Sequence, residues 1–142
     1  GATGFLFVVN PWAWAVRSRL TYTDPVTRTP AHLPRLLKGV EFTGQGALIL
    51  CLEAAIPGSD LTIAYTTSQV QDWSVNGRQV TLTLCGPAET MGETALRLPA
   101  GAPMPDVVTA GRVERQRDEC GQELLIITYP HHQGGAVLRL QA

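Results

Sequence analysis

Few side chains in this sequence are equipped for chemistry, and their spacing limits what they can do. The tryptophans are the most informative. Trp12 and Trp14 lie two residues apart and share a face wherever that stretch is extended. Two indoles on one exposed face make a platform for the apolar face of a sugar ring, because flat aromatics give contact area at small entropic cost. The plainer alternative places both over a core edge or a neighbouring domain, which suits so apolar a chain. Aromatic residues make up only 6% of the sequence, which is lean for a specialised sugar binder.

The histidines and acids say less. His131 and His132 are adjacent, and neighbours on an extended chain point in opposite directions, so the pair does not chelate one ion on its own. His32 joins them only if the fold brings it near. The stretch reads as a loop. Glu89 and Glu93 flank Thr90-Met91-Gly92, and Asp118-Glu119 sits in a turn. A glycosidase needs two carboxyls roughly 5–10 Å apart in a sugar-sized cleft. Asp118-Glu119-Cys120-Gly121 reads instead as a hairpin tip, and Glu93, before an apolar strand, as a structural hydrogen-bond partner. There is no G-x-S-x-G elbow, P-loop, H-E-x-x-H or dinucleotide fingerprint. No catalytic residue, metal ligand or cofactor is assigned, and no acidic loop has a calcium-ligand spacing. Cys51, Cys85 and Cys120 form no C-x-x-C pair. Cys51 and Cys85 end strand-like runs and could meet; buried free thiols are the plainer reading.

The elements that would position these residues are strands. Gly and Pro number 14 and 10, and they punctuate short apolar or alternating runs. These runs are Phe5 to Val9, Trp14 to Tyr22, Ala47 to Leu52, Leu61 to Tyr65, Thr94 to Leu98, Val107 to Thr109, Gly111 to Arg117, Glu123 to Tyr129 and Ala136 to Leu140. Ala47 to Leu52 is apolar on both faces and predicts a strand covered on both sides. Gln69 to Val75 and Arg78 to Leu84 flank Asn76-Gly77, a type I′ hairpin signal that pairs Val75 with Arg78 and Trp73 with Val80. Ala31 to Leu37 is the single helical candidate, kept short by Pro30 and Pro34. The pattern predicts an all-β fold, an antiparallel β-sandwich of jelly-roll or Greek-key type with about 10–12 short strands. Residues 1–142 read as one module; a division into 1–98 and 106–142 at the Pro99 to Pro105 stretch is the alternative.

Composition sets outer bounds. The chain has 142 residues, 44% hydrophobic and 16% charged, and a net charge of −1. That hydrophobicity excludes intrinsic disorder. The charge balance argues against a nucleic-acid partner, and no apolar run reaches the ~20 residues of a membrane helix. The first residue is Gly1 and no intact signal peptide follows, which suggests a module cut from a longer protein.

Several stretches, in order, resemble the second domain of glycoside hydrolase family 35 β-galactosidases over about residues 4–98. Gly4-Phe5-Leu6-Phe7-Val8-Val9-Asn10 resembles its opening strand, and Lys38 through Leu50 (KGVEFTGQGALIL) its next strands. Leu61 through Trp73 (LTIAYTTSQVQDW) is similar to a Tyr-Ser/Thr-Thr-Ala-Glu stretch leading to a Trp. Thr81 through Gly86 and Gly92 through Arg97 resemble the later strand ending in Gly and the Gly-Glu-x-Ala-Leu segment. Two departures are Gln69, where the family often has Ala and Glu nearby, and the Trp12-Ala13-Trp14 insert, which leaves room for glycan binding. The resemblance implies a non-catalytic all-β accessory domain supporting a catalytic (β/α)8 barrel. The catalytic glutamates belong to that barrel, so none is carried over. It implies the catalytic domain as partner, with a glycan as a second candidate. It also implies an apolar patch left open in the isolated module, through which copies could self-associate. Localisation follows the parent enzyme, secreted or cytoplasmic.

Overall fold

The computed structural model describes residues 3–24 and 28–141. Fourteen strands and no helix occur among them. Six strands form one antiparallel sheet in the order β1 (Gly4–Val9), β6 (Ala47–Ala55), β7 (Thr62–Thr66), β10 (Met91–Arg97), β13 (Glu123–Pro130) and β12 (Arg112–Arg117). A four-stranded antiparallel sheet runs β11 (Asp106–Val108), β14 (Gly135–Gln141), β9 (Gln79–Cys85), β8 (Gln69–Asn76). Two ribbons complete the fold: β2 (Val16–Ser18) with β5 (Val40–Phe42), and β3 (Leu20–Thr23) with β4 (Pro30–Leu33). No sheet closes into a barrel, and the all-β sandwich expected from the strand pattern is present.

The layering follows from alternation. Leu125, Ile127 and Tyr129 of β13 face a core shared with Val80, Leu82 and Leu84 of β9 and Leu138 and Leu140 of β14. Leu124 and Ile126, one residue out of phase, face a second core with Leu33, Val40, Phe42, Leu50 and Tyr65. The six-stranded sheet is thus the middle of three layers, between the four-stranded sheet and the ribbons. A strand covered on both faces needs a continuous apolar run, and Leu124–Ile127 supplies one.

Three expectations are corrected. The stretch expected to be helical, Ala31 to Leu37, begins as strand β4, whose Ala31 is buried and whose Leu33 lies in the second core, while His32 is half-exposed. The hairpin loop moves by one residue and the pairing register by two: Asn76 pairs with Gln79, Val75 with Val80 and Trp73 with Leu82. Gly77 alone takes positive φ there, so the loop is Gly77-Arg78, as a type II′ turn requires, and Asn76 stays in the strand. The third correction is β6. Leu48, Leu50 and Leu52 are buried, but Ala47 and Ile49 on the other face are open, although Gln69 of β8 accepts the Ile49 N–H at 3.1 Å. Strands on both sides of Pro99 to Pro105 share both sheets: β13 pairs with β10, and β14 with β9.

Candidate functional site

The Trp12-Ala13-Trp14 segment is not a strand. It is a bent loop between β1 and β2, and its shape is fixed from below. Asn10, 4% exposed, donates from Nδ2 to the carbonyls of Trp14 (2.8 Å) and Thr43 (3.0 Å), and its Oδ1 accepts the Trp12 N–H at 3.1 Å. The Gln45 N–H donates to the Trp12 carbonyl at 2.8 Å. The loop therefore lies against the turn between β5 and β6. That approach needs a glycine at 44, where a Cβ would stand 2.3 Å from the Ala13 carbonyl oxygen. The two indoles meet through the bend, and the extended stretch on which a shared strand face depended is absent. Their ring centroids are 6.0 Å apart, their planes differ by 14°, and they are 51% and 63% exposed. The rings stack on one another, and the outward indole face of the pair, on a backbone already immobilised, can stack a flat apolar ligand face at little further entropic cost.

A second polar constellation lies inside the protein. Ser68 Oγ is 2.6 Å from His131 Nε2, and His131 Nδ1 is 2.9 Å from Thr90 Oγ1. Thr90 donates its hydroxyl proton to the Pro87 carbonyl at 2.6 Å. Nδ1 must then carry the imidazole proton, and Nε2 accepts from Ser68. The chain continues inward. Tyr129 Oη lies 2.8 Å from Ser68 Oγ and 2.7 Å from Thr94 Oγ1, and Thr94 lies 2.9 Å from Thr66 Oγ1. Every hydroxyl in this wire is satisfied with His131 neutral. Burial lowers the His131 pKa, against a weaker opposing influence of Glu41. A serine bonded to a histidine resembles a nucleophile with its base. Here Ser68 is 0% and His131 1% exposed, and the imidazole is oriented by a threonine rather than a carboxylate. No substrate atom reaches Ser68 in this conformation, so the wire acts as a polar staple joining β7, β10 and β13. Gly92 leaves room for it, since a Cβ there would meet Tyr129, Ser68 and His131 within 2.7 Å.

Glu93 is the third polar centre and has the structural role expected of it. Its buried carboxylate accepts four hydrogen bonds. Oε1 takes the Leu36 and Leu37 N–H groups at 2.9 Å each, and Oε2 takes the Arg35 N–H at 2.6 Å and the Tyr65 hydroxyl at 2.5 Å. Burial first, then the Glu93 charge, pushes the Tyr65 pKa up. The carboxylate thus ties the segment after β4 to the middle sheet.

The remaining candidates are dispersed. Glu89 is exposed and accepts the Gln133 N–H at 3.0 Å. Asp118 caps its hairpin tip by accepting the Cys120 and Gln122 N–H groups, while Glu119 pairs with Arg35. His132 is exposed, and no group of three or more metal-capable side chains exists among the described residues. Cys51, Cys85 and Cys120 are free thiols, and burial raises the Cys51 pKa. Sequence reasoning placed His131 in a loop and missed the hydroxyl wire; the polar run Thr66-Thr67-Ser68 inside an apolar strand pattern was its available signal. No family model matches the chain, and no curated protein matches it.

Proposed function

We propose that this chain is a non-catalytic β-sandwich module of a β-galactosidase-like glycoside hydrolase, and that it holds a glycan on Trp12 and Trp14 beside the catalytic domain. The observation that carries the binding role is the pair of near-parallel exposed indoles on a backbone tied down by Asn10. The two stacked indoles form an exposed aromatic patch, and contiguous exposed apolar patches mark interaction sites. The ordered likeness of residues 4–98 to the accessory domain of family 35 supports the parent class.

The test is indole fluorescence during titration with galactans, xyloglucan, β-glucans and galacto-oligosaccharides. A saturable shift with one glycan class is expected. Each stacking contact is worth about 0.5–1.5 kcal/mol beyond the area it buries, so Trp12→Ala and Trp14→Ala should each weaken binding roughly tenfold with the fold intact. A flat response across the panel, or variants that bind like the parent, would refute the platform.

A further inference from the structure

Each sheet of this sandwich ends on two unpaired strands, and natural proteins guard such edges because bare backbone recruits other strands. Three of the four edges carry a guard. β12 has Arg112, Glu114, Arg115 and Arg117. β11 is three residues long. β8 carries Asp72 and an irregular register between Val70 and Asp72. The fourth edge, β1, has none of these devices. Its six residues, GFLFVV, contain no charge and no proline, and they pair with β6 in unbroken register from Gly4↔Leu52 to Val9↔Ala47. Its outward row is apolar and open: Phe5 is 54%, Phe7 74% and Val9 66% exposed, with Ile49 of β6 alongside at 47%.

We infer that β1 pairs antiparallel with β1 of a second copy of this chain, joining the two six-stranded sheets across a two-fold axis. Two features favour a second copy. The strand is self-complementary in both chemistry and length, and antiparallel pairing of identical edges closes after two chains, so it leaves no free β1 edge. Side-chain parity then fixes the register. Antiparallel partners keep the Phe5, Phe7, Val9 row on one face only if the paired residue numbers sum to an even value. The register that uses all three centres Phe7 on its own copy and places Phe5 against the partner's Val9. Edge pairing sets Phe5, Phe7 and Val9 beside the partner's row at strand spacing and leaves Ile49, one strand further in, out of reach. The contact is one strand's backbone plus one cross-strand row, smaller than a standard interface and weak and reversible. The inference is independent of glycan binding, since Trp12 and Trp14 lie in the loop beyond β1.

Static light scattering and sedimentation of the chain from about 10 μM to 1 mM test it, with near-UV circular dichroism as the check on folding. The expected result is a concentration-dependent monomer–dimer equilibrium. Phe7→Lys places two like charges directly opposite on the axis and should raise the dimer dissociation constant at least tenfold. Val9→Lys meets the partner's Phe5 instead and should have a smaller effect. Mixing folded Phe7→Lys with folded Phe7→Glu should restore a heterodimer. A parent that stays monomeric at 1 mM would overturn the pairing and return the β1 row to a neighbouring domain. A dimer indifferent to Phe7→Lys, or a charge pair that fails to reassociate, would overturn the register and the edge as the contact.

Discussion

Replacing Glu93 by Gln changes one oxygen to an amide and removes one charge, with almost no change in volume. Its cost can be worked from the four donors that converge on the carboxylate. If the new NH2 takes the Oε1 position, the Leu36 and Leu37 N–H groups both face a donor. If it takes the Oε2 position, the Arg35 N–H faces a donor, while the Tyr65 hydroxyl loses its acceptor and can only accept in return. Either way two donors are stranded, and the surviving bonds become neutral. Hydrogen bonds to a charged group contribute about 1.5–3 kcal/mol each, so the substitution should cost roughly 3–6 kcal/mol. That is a large share of the ~5–15 kcal/mol that holds a domain of this size together. At about 3–4 °C per kcal/mol, the melting temperature should fall by on the order of 10–20 °C.

The assay is urea unfolding with thermal melts of the parent, Glu93→Gln, Tyr65→Phe and the double variant. Tyr65→Phe removes one donor and should cost about 1–3 kcal/mol. The double variant should be less destabilised than the sum, because both changes break the same bond. The damage should also be local. Glu93 ties the segment after β4 to the middle sheet, so hydrogen exchange should accelerate at Leu33, Val40 and Phe42 before it does at Leu82 and Leu138 of the other core. A melting temperature within about 3 °C of the parent would refute the reasoning, as would strictly additive losses.

Other predictions follow from the two remaining polar constellations. Burial lowers the His131 pKa, so the native state resists a proton that the unfolded imidazole accepts below about 6.5. Stability should be full above that value and fall as pH drops from about 6.5 toward the lower native pKa; urea midpoints at pH 5, 6 and 7.5 measure it. His32 shifts the same way, through burial first and then Arg19, so His131→Gln should reduce the slope and adding His32→Gln should reduce it further. Gly44→Ala drives a Cβ into the Ala13 carbonyl and should displace the tryptophan loop. It should weaken glycan binding as much as Trp12→Ala does, with both indoles still present. Equal binding by parent and Gly44→Ala would mean that loop geometry does not matter.

The middle sheet was the most legible part of the fold, for a definite reason. Leu124 to Ile127 is an unbroken apolar run that marks a strand, here one buried on both faces, while the same kind of run in β1 and at Ala47 to Leu52 marks a strand that is open on one face. The hairpin at Asn76-Gly77 was legible as a turn but not in register. Asn can occupy positive φ, yet here Gly77 takes it, and Asn76 is spent on pairing with Gln79. The outer ribbons were hidden because β2 and β5 are three residues each and meet across more than twenty residues of sequence. Ile49 shows the limit most plainly. Its apolar side chain correctly marks a preference for cover, but whether cover exists depends on the other strands of the fold, and Ile49 stays open. Of the candidate site, the spacing of Trp12 and Trp14 was visible, while the buried Asn10 that mounts them looked only like a strand stop before Pro11.

Where the few charges fall bears on both surfaces proposed above. No charged residue occurs before Arg17, yet this stretch supplies five of the twelve large hydrophobics exposed among the described residues: Phe5, Phe7, Val9, Trp12 and Trp14. At the opposite edge of the same sheet, β12 carries four charges in six residues, in ion pairs Arg112–Glu114, Arg115–Glu123 and Arg117–Glu123. Exposed ion pairs of this kind add little stability; their effect is to make an edge unattractive to another strand. A fold that guards one edge so heavily and leaves the other bare is asymmetric in what it excludes. The bare edge and the tryptophan loop are contiguous in sequence, since Asn10 ends β1 and anchors Trp12 and Trp14. In an antiparallel β1 pair the two loops project from opposite ends of the joint strand. Pairing would therefore leave both indole platforms open while setting the two apolar rows side by side, and a long glycan chain could engage both at once. Binding to a polymer would then depend on protein concentration where binding to a short oligosaccharide would not.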